Sequence, residues 1–224
     1  MKKLNEMRIE KRLTSSFRIT TLITSVAAIA AIIVLLIISN RYTYALRYFG
    51  FAQGDIGQAI ILFTDARGDT RAIVGYDDQS VISNLVSQFD EDKEGFTSQW
   101  KEVEAVLVTD ETKSTYQTIN NKLQDYWALN EEIIELGKTV SDKAGRQQAQ
   151  SKAMNELAPA YEEIESLMYE LFNTKTSRGE SLDNNLNIAT YILVVVAVIV
   201  LVISFNISVR FGRFIARGIA EPVT

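Results

Sequence analysis

Two long apolar runs without a single charge stand out from an otherwise mixed sequence. One covers residues 19–39 (ITTLITSVAAIAAIIVLLIIS) and the other covers residues 188–209 (IATYILVVVAVIVLVISFNISV). A helix needs about 20 apolar residues to cross the roughly 30 Å hydrocarbon core of a bilayer. The first run is also longer than the apolar region of about 7 to 15 residues found in a signal peptide. The pattern therefore predicts two transmembrane helices.

Between these runs, apolar residues recur three and four positions apart, which is the period of a helix rather than that of a strand. Four such stripes follow one another: Ile56, Ile60, Phe63, Thr70 and Val74; Ile82, Leu85, Val86, Phe89, Phe96, Trp100, Val103 and Leu107; Tyr116, Ile119, Leu123, Trp127 and Ile134; Ala153, Leu157, Tyr161, Ile164, Met168, Leu171 and Phe172. Short connections force neighbouring helices to run antiparallel. We therefore expect an all-α fold in which two transmembrane helices bracket an up-down-up-down antiparallel four-helix bundle.

The breaks between the stripes contain residues that typically end or begin helices. Gly75 and the Tyr-Asp-Asp that follows it precede the second stripe. Either Thr109 or Asp110 can cap the start of the third helix, and residues 137–145 (GKTVSDKAG) precede the fourth. Pro159 lies inside the fourth stripe, and a proline there removes a backbone hydrogen bond and usually kinks the helix. We expect a kink at this point.

The distribution of basic residues predicts the topology. Six lysines and arginines precede residue 19 and three follow residue 209. Because Lys and Arg concentrate on the cytoplasmic side of a membrane, both termini of this multi-pass protein are expected in the cytoplasm. The predicted order is a cytoplasmic segment 1–18, a span 19–39, an extracytoplasmic bundle 40–187, a span 188–209 and a cytoplasmic segment 210–224.

Composition narrows the function of the predicted extracytoplasmic bundle. It contains 25 acidic and 14 basic residues, a net charge of −11, which argues against binding nucleic acid because phosphates require a basic surface. The chain has no Cys and no His, so it lacks disulfides, the usual zinc ligands and the Ser-His or Cys-His arrangements of nucleophilic catalysis. We expect no enzymatic activity, no metal site and no cofactor.

Residues 64–78 (TDARGDTRAIVGYDD) concentrate charge at the end of the first stripe. An EF-hand calcium loop needs carboxylates at alternating positions followed by Gly and a Glu at the twelfth, and the aspartates here do not have that spacing. At 100° per residue, Asp65 and Asp69 point away from the apolar stripe, so both are expected on a solvated helix face. Arg67 falls inside the stripe and Arg71 falls on its edge.

An arginine on a buried stripe needs an anionic or hydrogen-bonding partner. Counting along the helices brings Tyr161, Glu165 and Asn130 to the level of Arg67. One interpretation is a structural network of Arg67 with Glu165 and Asn130, or an arginine at a dimer seam. The other is a ligand site in which Arg67 and Arg71 hold the carboxylate of a small molecule, for which the planar guanidinium is suited. That site would comprise Arg67, Arg71, Asn130 and Tyr161.

Three stretches resemble a known family: DIGQAIILFTDARGDTRAIVGYDD, LQDYWALNEEIIELGKT and the closing RFIARGIAEPVT. Together with the two spans, they resemble a methyl-accepting chemotaxis protein with a four-helix-bundle sensor domain, truncated at the start of its HAMP linker. In that linker an aliphatic residue, a proline and another aliphatic residue correspond here to Ile219, Pro222 and Val223. The resemblance implies a homodimer in which movement of the fourth helix carries the signal inward.

The resemblance also implies partners and a site. Beyond Thr224 it implies a cytoplasmic part that meets a coupling protein and a histidine kinase. It implies ligand binding near the distal part of the first and fourth helices, commonly through arginines of the first helix. The function expected is therefore a transmembrane chemoreceptor for a small extracytoplasmic ligand or a ligand-loaded binding protein. Two alternatives stay open: the sensory half of a membrane histidine kinase or diguanylate cyclase, and a passive membrane-anchored bundle.

Overall fold

Every element of the described chain is helical. The computed structural model describes residues 9–220, and the side chains of residue 11 and residues 13–213. In chain order the elements are α1 (Ile9–Ala45), a first π-turn (Leu46–Gly50), α2 (Phe51–Gly75), α3 (Gln79–Ala105), α4 (Asp110–Gly137), α5 (Lys143–Lys152), a second π-turn (Ala153–Leu157) and α6 (Ala158–Ala220). The predicted all-α fold is confirmed. The expected HAMP residues Pro222 and Val223, and the side chain of Ile219, lie outside the described residues.

The chain divides into two compact units. One combines the chain up to Thr43 with the chain from Asp183 onward, and it contains both apolar runs. Two helices are long and apolar enough to cross a membrane, one within Leu13–Gly75 and one within Lys143–Arg213. Their large apolar side chains are exposed along the runs, as is expected of helices whose surroundings are lipid.

The other unit, Tyr44–Leu182, is the four-helix bundle. Its helices are α2, α3, α4 and a fourth that comprises α5, the second π-turn and the first part of α6. The four predicted stripes line its interior, and most of their members are buried, including Phe63, Phe89 and Tyr161. Phe63 lies at the centre, with its ring 4.8 Å from that of Tyr126 and 5.0 Å from that of Tyr161, measured between centroids.

Side-chain caps begin α3, α4 and α5. The carboxylate of Asp78 accepts hydrogen bonds from the backbone N–H groups of Ser80 and Val81 at the start of α3. Thr109, rather than Asp110, caps α4 by accepting from the N–H of Thr112. Asp142 caps α5 by accepting from the N–H of Gly145. Each cap satisfies a donor that a helix start otherwise leaves unpaired.

Pro159 is accommodated without ending the helix. The second π-turn lies immediately before α6, at the point where a kink was expected. There the N–H of Ala158 donates to the carbonyl of Ala153, five residues earlier. Such π-bulges rearrange the backbone hydrogen bonds where a proline cannot donate, so the fourth helix of the bundle continues past Pro159.

The expectation for Asp69 was wrong. Asp65 is exposed as expected, but Asp69 is only 6% exposed. The reason is that α2 has a second buried face, formed by Ala66, Asp69 and Ile73, that packs with Ile82 and Phe89 of α3. A helix inside a bundle touches two neighbours, whereas the single stripe used for the prediction describes only one contact face.

Two buried cations mark the ends of the buried stripe on the fourth helix, and sequence reasoning missed both. Arg146 is 6% exposed, and its guanidinium donates to the carbonyls of Gly137 at 2.8 Å and Tyr76 at 2.5 Å. It also donates to the carbonyls of Ile73 and Val74. One side chain therefore satisfies carbonyls at the C-terminal ends of both α2 and α4, where the helix dipole is negative.

Lys175 has the corresponding role at the other end of that stripe. It is 1% exposed, and its ammonium donates to the carbonyls of Val106 at 2.6 Å and Tyr48 at 3.2 Å. Val106 ends α3, and Tyr48 belongs to the first π-turn. Burial lowers the pKa of Lys175 to about 8, because removing a charge from water disfavours the protonated form.

Candidate functional site

Arg67 and Tyr161 meet across the bundle. Arg67 lies on α2, and its guanidinium carbon is 3.8 Å from the centre of the Tyr161 ring on α6. Arg67 is half-buried, whereas Tyr161 is 1% exposed. The ring of Phe63 also packs on the ring of Tyr161, with an interplanar angle of 7°. The predicted proximity of these two site residues is therefore present in the structure, as a cation stacked on an aromatic face.

The hydroxyl of Tyr161 joins a short polar chain. It donates to Oε1 of Glu165 at 2.5 Å, and it lies 2.9 Å from the hydroxyl of Thr64 on α2. Thr64 also reaches the carbonyl of Ile60 at 2.8 Å. Burial, and then the bond to the Glu165 carboxylate, raise the pKa of Tyr161. The phenol therefore stays a protonated donor that holds Glu165 in place.

The structure differs from the interpretation in which Arg67 contacts Glu165 and Asn130 directly. Among the described residues, Glu165 forms no ion pair with Arg67, and the link between them runs through Tyr161. The reason is steric and chemical: the aromatic ring occupies the space over the guanidinium, and its hydroxyl engages the carboxylate.

Asn130 belongs to a separate buried contact. Its Oδ1 accepts from the hydroxyl of Thr70 at 2.8 Å, and its amide donates to the carbonyl of Tyr126 at 2.9 Å. Asn130 is fully buried, as is Thr70. This pair ties α4 to α2 about one turn beyond Arg67, so Asn130 contacts Thr70 rather than the stacked pair. Arg71 is exposed on α2.

The chemistry available at the stacked pair is anion binding. The N–H donors of a guanidinium lie in its own plane, where a planar carboxylate can meet two of them. No carboxylate of the described residues forms an ion pair with Arg67. No group of three or more acidic, His or Cys side chains in the described part of the chain is arranged to hold a metal ion.

The residues missed by sequence reasoning carry a detectable signal. Extending the fourth stripe by seven positions before Ala153 reaches Arg146, and seven positions after Met168 it reaches Lys175. Both therefore lie on the inward face by helical period. A search limited to apolar residues ends the stripe too early at both ends.

Comparison with known proteins gives one match. The family model described as a four helix bundle sensory module for signal transduction matches residues 6–191. Neither the curated proteins nor the solved structures that were searched contain a match to the chain. The family match spans most of the chain and includes the whole unit in which Arg67 and Tyr161 lie.

Proposed function

Because the chain belongs to the family of four-helix-bundle sensory modules for signal transduction, we propose that it is the sensor module of a transmembrane chemoreceptor. The module detects a small extracytoplasmic ligand that bears a carboxylate, or a ligand-loaded binding protein. It transmits the signal through its second span and the start of a HAMP linker to a cytoplasmic domain that controls a kinase. The module itself is non-catalytic, and its output is a change of conformation.

The observation that carries this proposal is the stacked pair of Arg67 and Tyr161. It joins α2 to α6, and α6 also contains the second apolar run. A carboxylate that binds the in-plane donors of Arg67 adds a new contact to the guanidinium and changes its balance of interactions with the ring. A ligand shifts an equilibrium only through such a difference in affinity between two states. The pair is therefore a suitable point of coupling between ligand and helix.

The proposal includes the membrane topology and the oligomeric state. Both termini lie in the cytoplasm, because the flanks of the two spans are rich in Lys and Arg. The receptor works as a homodimer in the cell membrane, with movement of the fourth bundle helix relative to its neighbours as the signal. A coupling protein and a histidine kinase receive the signal inside the cell. Nucleic acid has no part in this function, since the bundle is acidic.

Calorimetry on the full chain in lipid nanodiscs tests the proposal. The probes are the standard amino acids and a set of mono-, di- and tricarboxylic acids, titrated one at a time. We expect at least one carboxylate to bind, and Arg67→Met to weaken that binding about 10- to 100-fold because charge-assisted hydrogen bonds are lost. Arg178→Met, at an exposed arginine of α6 outside the candidate site, is the control and should leave the binding unchanged. Absence of binding to every probe by folded protein would contradict direct sensing.

A further inference from the structure

Asp69 and Asp92 form a pair of carboxyl groups between α2 and α3 that the stacked pair of Arg67 and Tyr161 does not use. The two helices are antiparallel, as two contacts between them show: Gln99 donates to Asp55 at 3.1 Å, and the rings of Phe63 and Phe96 lie 5.6 Å apart. This antiparallel register brings the part of α2 that contains Asp69 alongside the part of α3 that contains Asp92. The two carboxyl groups lie within reach of a hydrogen bond to each other.

A hydrogen bond between two carboxyl groups requires a proton. An ionised carboxylate has acceptors only, so two ionised carboxylates repel each other rather than bond. The second oxygen of Asp69, Oδ2, is buried and has no hydrogen-bond partner among the described residues. Asp69 as a whole is 94% buried, since it is only 6% exposed. A buried carboxyl group with an orphaned oxygen is most stable in its neutral form.

Within the described part of the chain, neither Asp69 nor Asp92 forms an ion pair with a cation. On its own helix Asp69 has Asp65 as a charged neighbour, and on α3 it faces Asp92, which in turn has Glu91 beside it. The next residue, Lys93, is engaged by Glu131 of α4 and lies 5.7 Å from the centre of a tryptophan ring.

The core cluster that flanks Asp69 along α2 is apolar. It consists of Ala66, Ile73, Ile82, Phe89 and Ile134. From α4 the contacts to this cluster are Ile134 and Trp127, and from the loop after α4 the contact is Val140. A carboxylate formed at Asp69 would be largely removed from water and would lack a counter-ion.

From this geometry we infer that Asp69 and Asp92 bind one shared proton that holds α2 against α3, and that release of this proton loosens the two helices. The module then responds to the acidity of the medium around the bundle at a site separate from Arg67 and Tyr161. The chemistry is proton binding alone: a carboxylic acid hydrogen-bonded to a carboxylate becomes two carboxylates and a free proton.

The pKa of Asp69 lies near neutral pH, as a response to the acidity of the medium requires. Burial, and then the hydrogen bond to Asp92, raise the pKa of Asp69 to about 7. Burial also raises the pKa of Asp92. An unperturbed aspartic acid ionises near pH 4, so in the unfolded chain both groups are ionised at neutral pH. Folded protein therefore binds a proton that the unfolded chain does not, and this contribution to stability declines as pH rises from about 4 to about 7.

Infrared spectroscopy of the full chain in nanodiscs tests the shared proton. A protonated carboxyl group has a C=O stretching band distinct from that of a carboxylate. We expect this band at about pH 5.5 and its loss by about pH 8.5. Asp69→Asn and Asp92→Asn should each abolish the pH-dependent band, whereas Asp90→Asn, an exposed residue of α3, should retain it.

Hydrogen exchange on the same samples tests the loosening. Amides of α2 and α3 around the pair should exchange about tenfold faster at high pH than the intrinsic rate change accounts for, and Asp69→Asn should suppress that excess. A band that is missing at low pH, or that persists in both Asn variants, would overturn the proton site. A normal band without excess exchange would overturn the proposed loosening of α2 and α3. If Asp69→Asn fails to fold, wild type and Asp92→Asn decide both points, and neither outcome depends on carboxylate binding at Arg67.

Discussion

The guanidinium carbon of Arg67 lies 3.8 Å from the centre of the Tyr161 ring, so the first and last helices of the bundle meet through a cation on an aromatic face. The same tyrosine donates to Glu165 and contacts Thr64. One side chain thus contacts the arginine through its ring, a carboxylate through its hydroxyl and the parallel ring of Phe63. Loss of any one of these contacts should therefore change the position of Tyr161 and its remaining contacts.

Replacing Arg67 with methionine should destabilise the bundle by about 1 kcal/mol, because a partly desolvated cation–π contact is lost while the apolar stem remains. Urea denaturation of the full chain in detergent micelles, followed by circular dichroism, measures the effect. Arg71→Met is the control and should change the free energy of unfolding by less than about 0.5 kcal/mol, since Arg71 is exposed. Equal effects of the two substitutions would contradict the role of the stacked pair.

Arg146→Met should be more costly, at about 3 kcal/mol. It leaves the carbonyls of Gly137 and Tyr76 without their charged donor inside the protein. The same urea measurement applies, with Arg178→Met as the control because Arg178 is exposed and pairs with Glu111 at 2.5 Å. An exposed ion pair contributes about 1 kcal/mol or less. The prediction fails if the two variants are equally stable.

How far the fold could be predicted depends on what each face of a helix touches. Ile56, Ile60 and Phe63 follow the helical period and are buried as expected, because apolar burial is the main source of helix packing. Asp69 was misplaced because α2 packs on two neighbours, and one stripe cannot report both. Arg146 was overlooked because a charged residue is rarely buried without partners. Apart from the exposed Asp77, those partners are backbone carbonyls, which no residue type indicates.

The candidate site, like the fold, could be predicted from the sequence only in part. Tyr161 could be placed near Arg67 because counting turns along antiparallel helices gives approximate height. Counting turns cannot give side-chain direction, so it could not show that Glu165 meets the tyrosine hydroxyl instead of the arginine. Nor could it show that Asn130 bonds Thr70, since a difference of one turn decides which residue of α2 lies opposite.

Lys175 should make stability depend on pH in the alkaline range. Its pKa in the folded protein is about 8, below the usual value of 10.5. At lower pH the amine is charged in both states, and the cost of burying the charge is fully present. As pH rises beyond about 8, the folded protein loses this proton before the unfolded chain does, so stability increases by about 1 to 2 kcal/mol up to about pH 9.5.

Thermal unfolding of the wild type and of Lys175→Met between about pH 7.5 and about pH 9.5 measures this effect. The difference between the two proteins isolates Lys175 from other titrating groups. Lys101→Met, at an exposed lysine of α3, should retain the pH dependence of the wild type. A difference between wild type and Lys175→Met that does not change with pH would contradict the prediction.

The buried bond between Thr70 and Asn130 should show energetic coupling. Thr70→Val keeps the shape but leaves Oδ1 of Asn130 without its donor, which should cost about 1 to 2 kcal/mol. Adding Asn130→Leu removes the stranded acceptor, so the double variant should be more stable than the sum of the single effects. A double-mutant cycle by urea denaturation measures this coupling, and strict additivity would contradict it.

The central claim is that a carboxylate at Arg67 moves the last bundle helix relative to the first. The chain has no cysteine, so spin labels can be placed selectively at the exposed positions Gln58 of α2 and Ser166 of α6. Pulsed electron paramagnetic resonance then measures the distance between them in nanodiscs, with and without the calorimetric carboxylate probes. A shifted distance distribution that Arg67→Met abolishes and Arg178→Met preserves is the predicted result. An unchanged distribution at a probe concentration that saturates calorimetric binding would contradict the account.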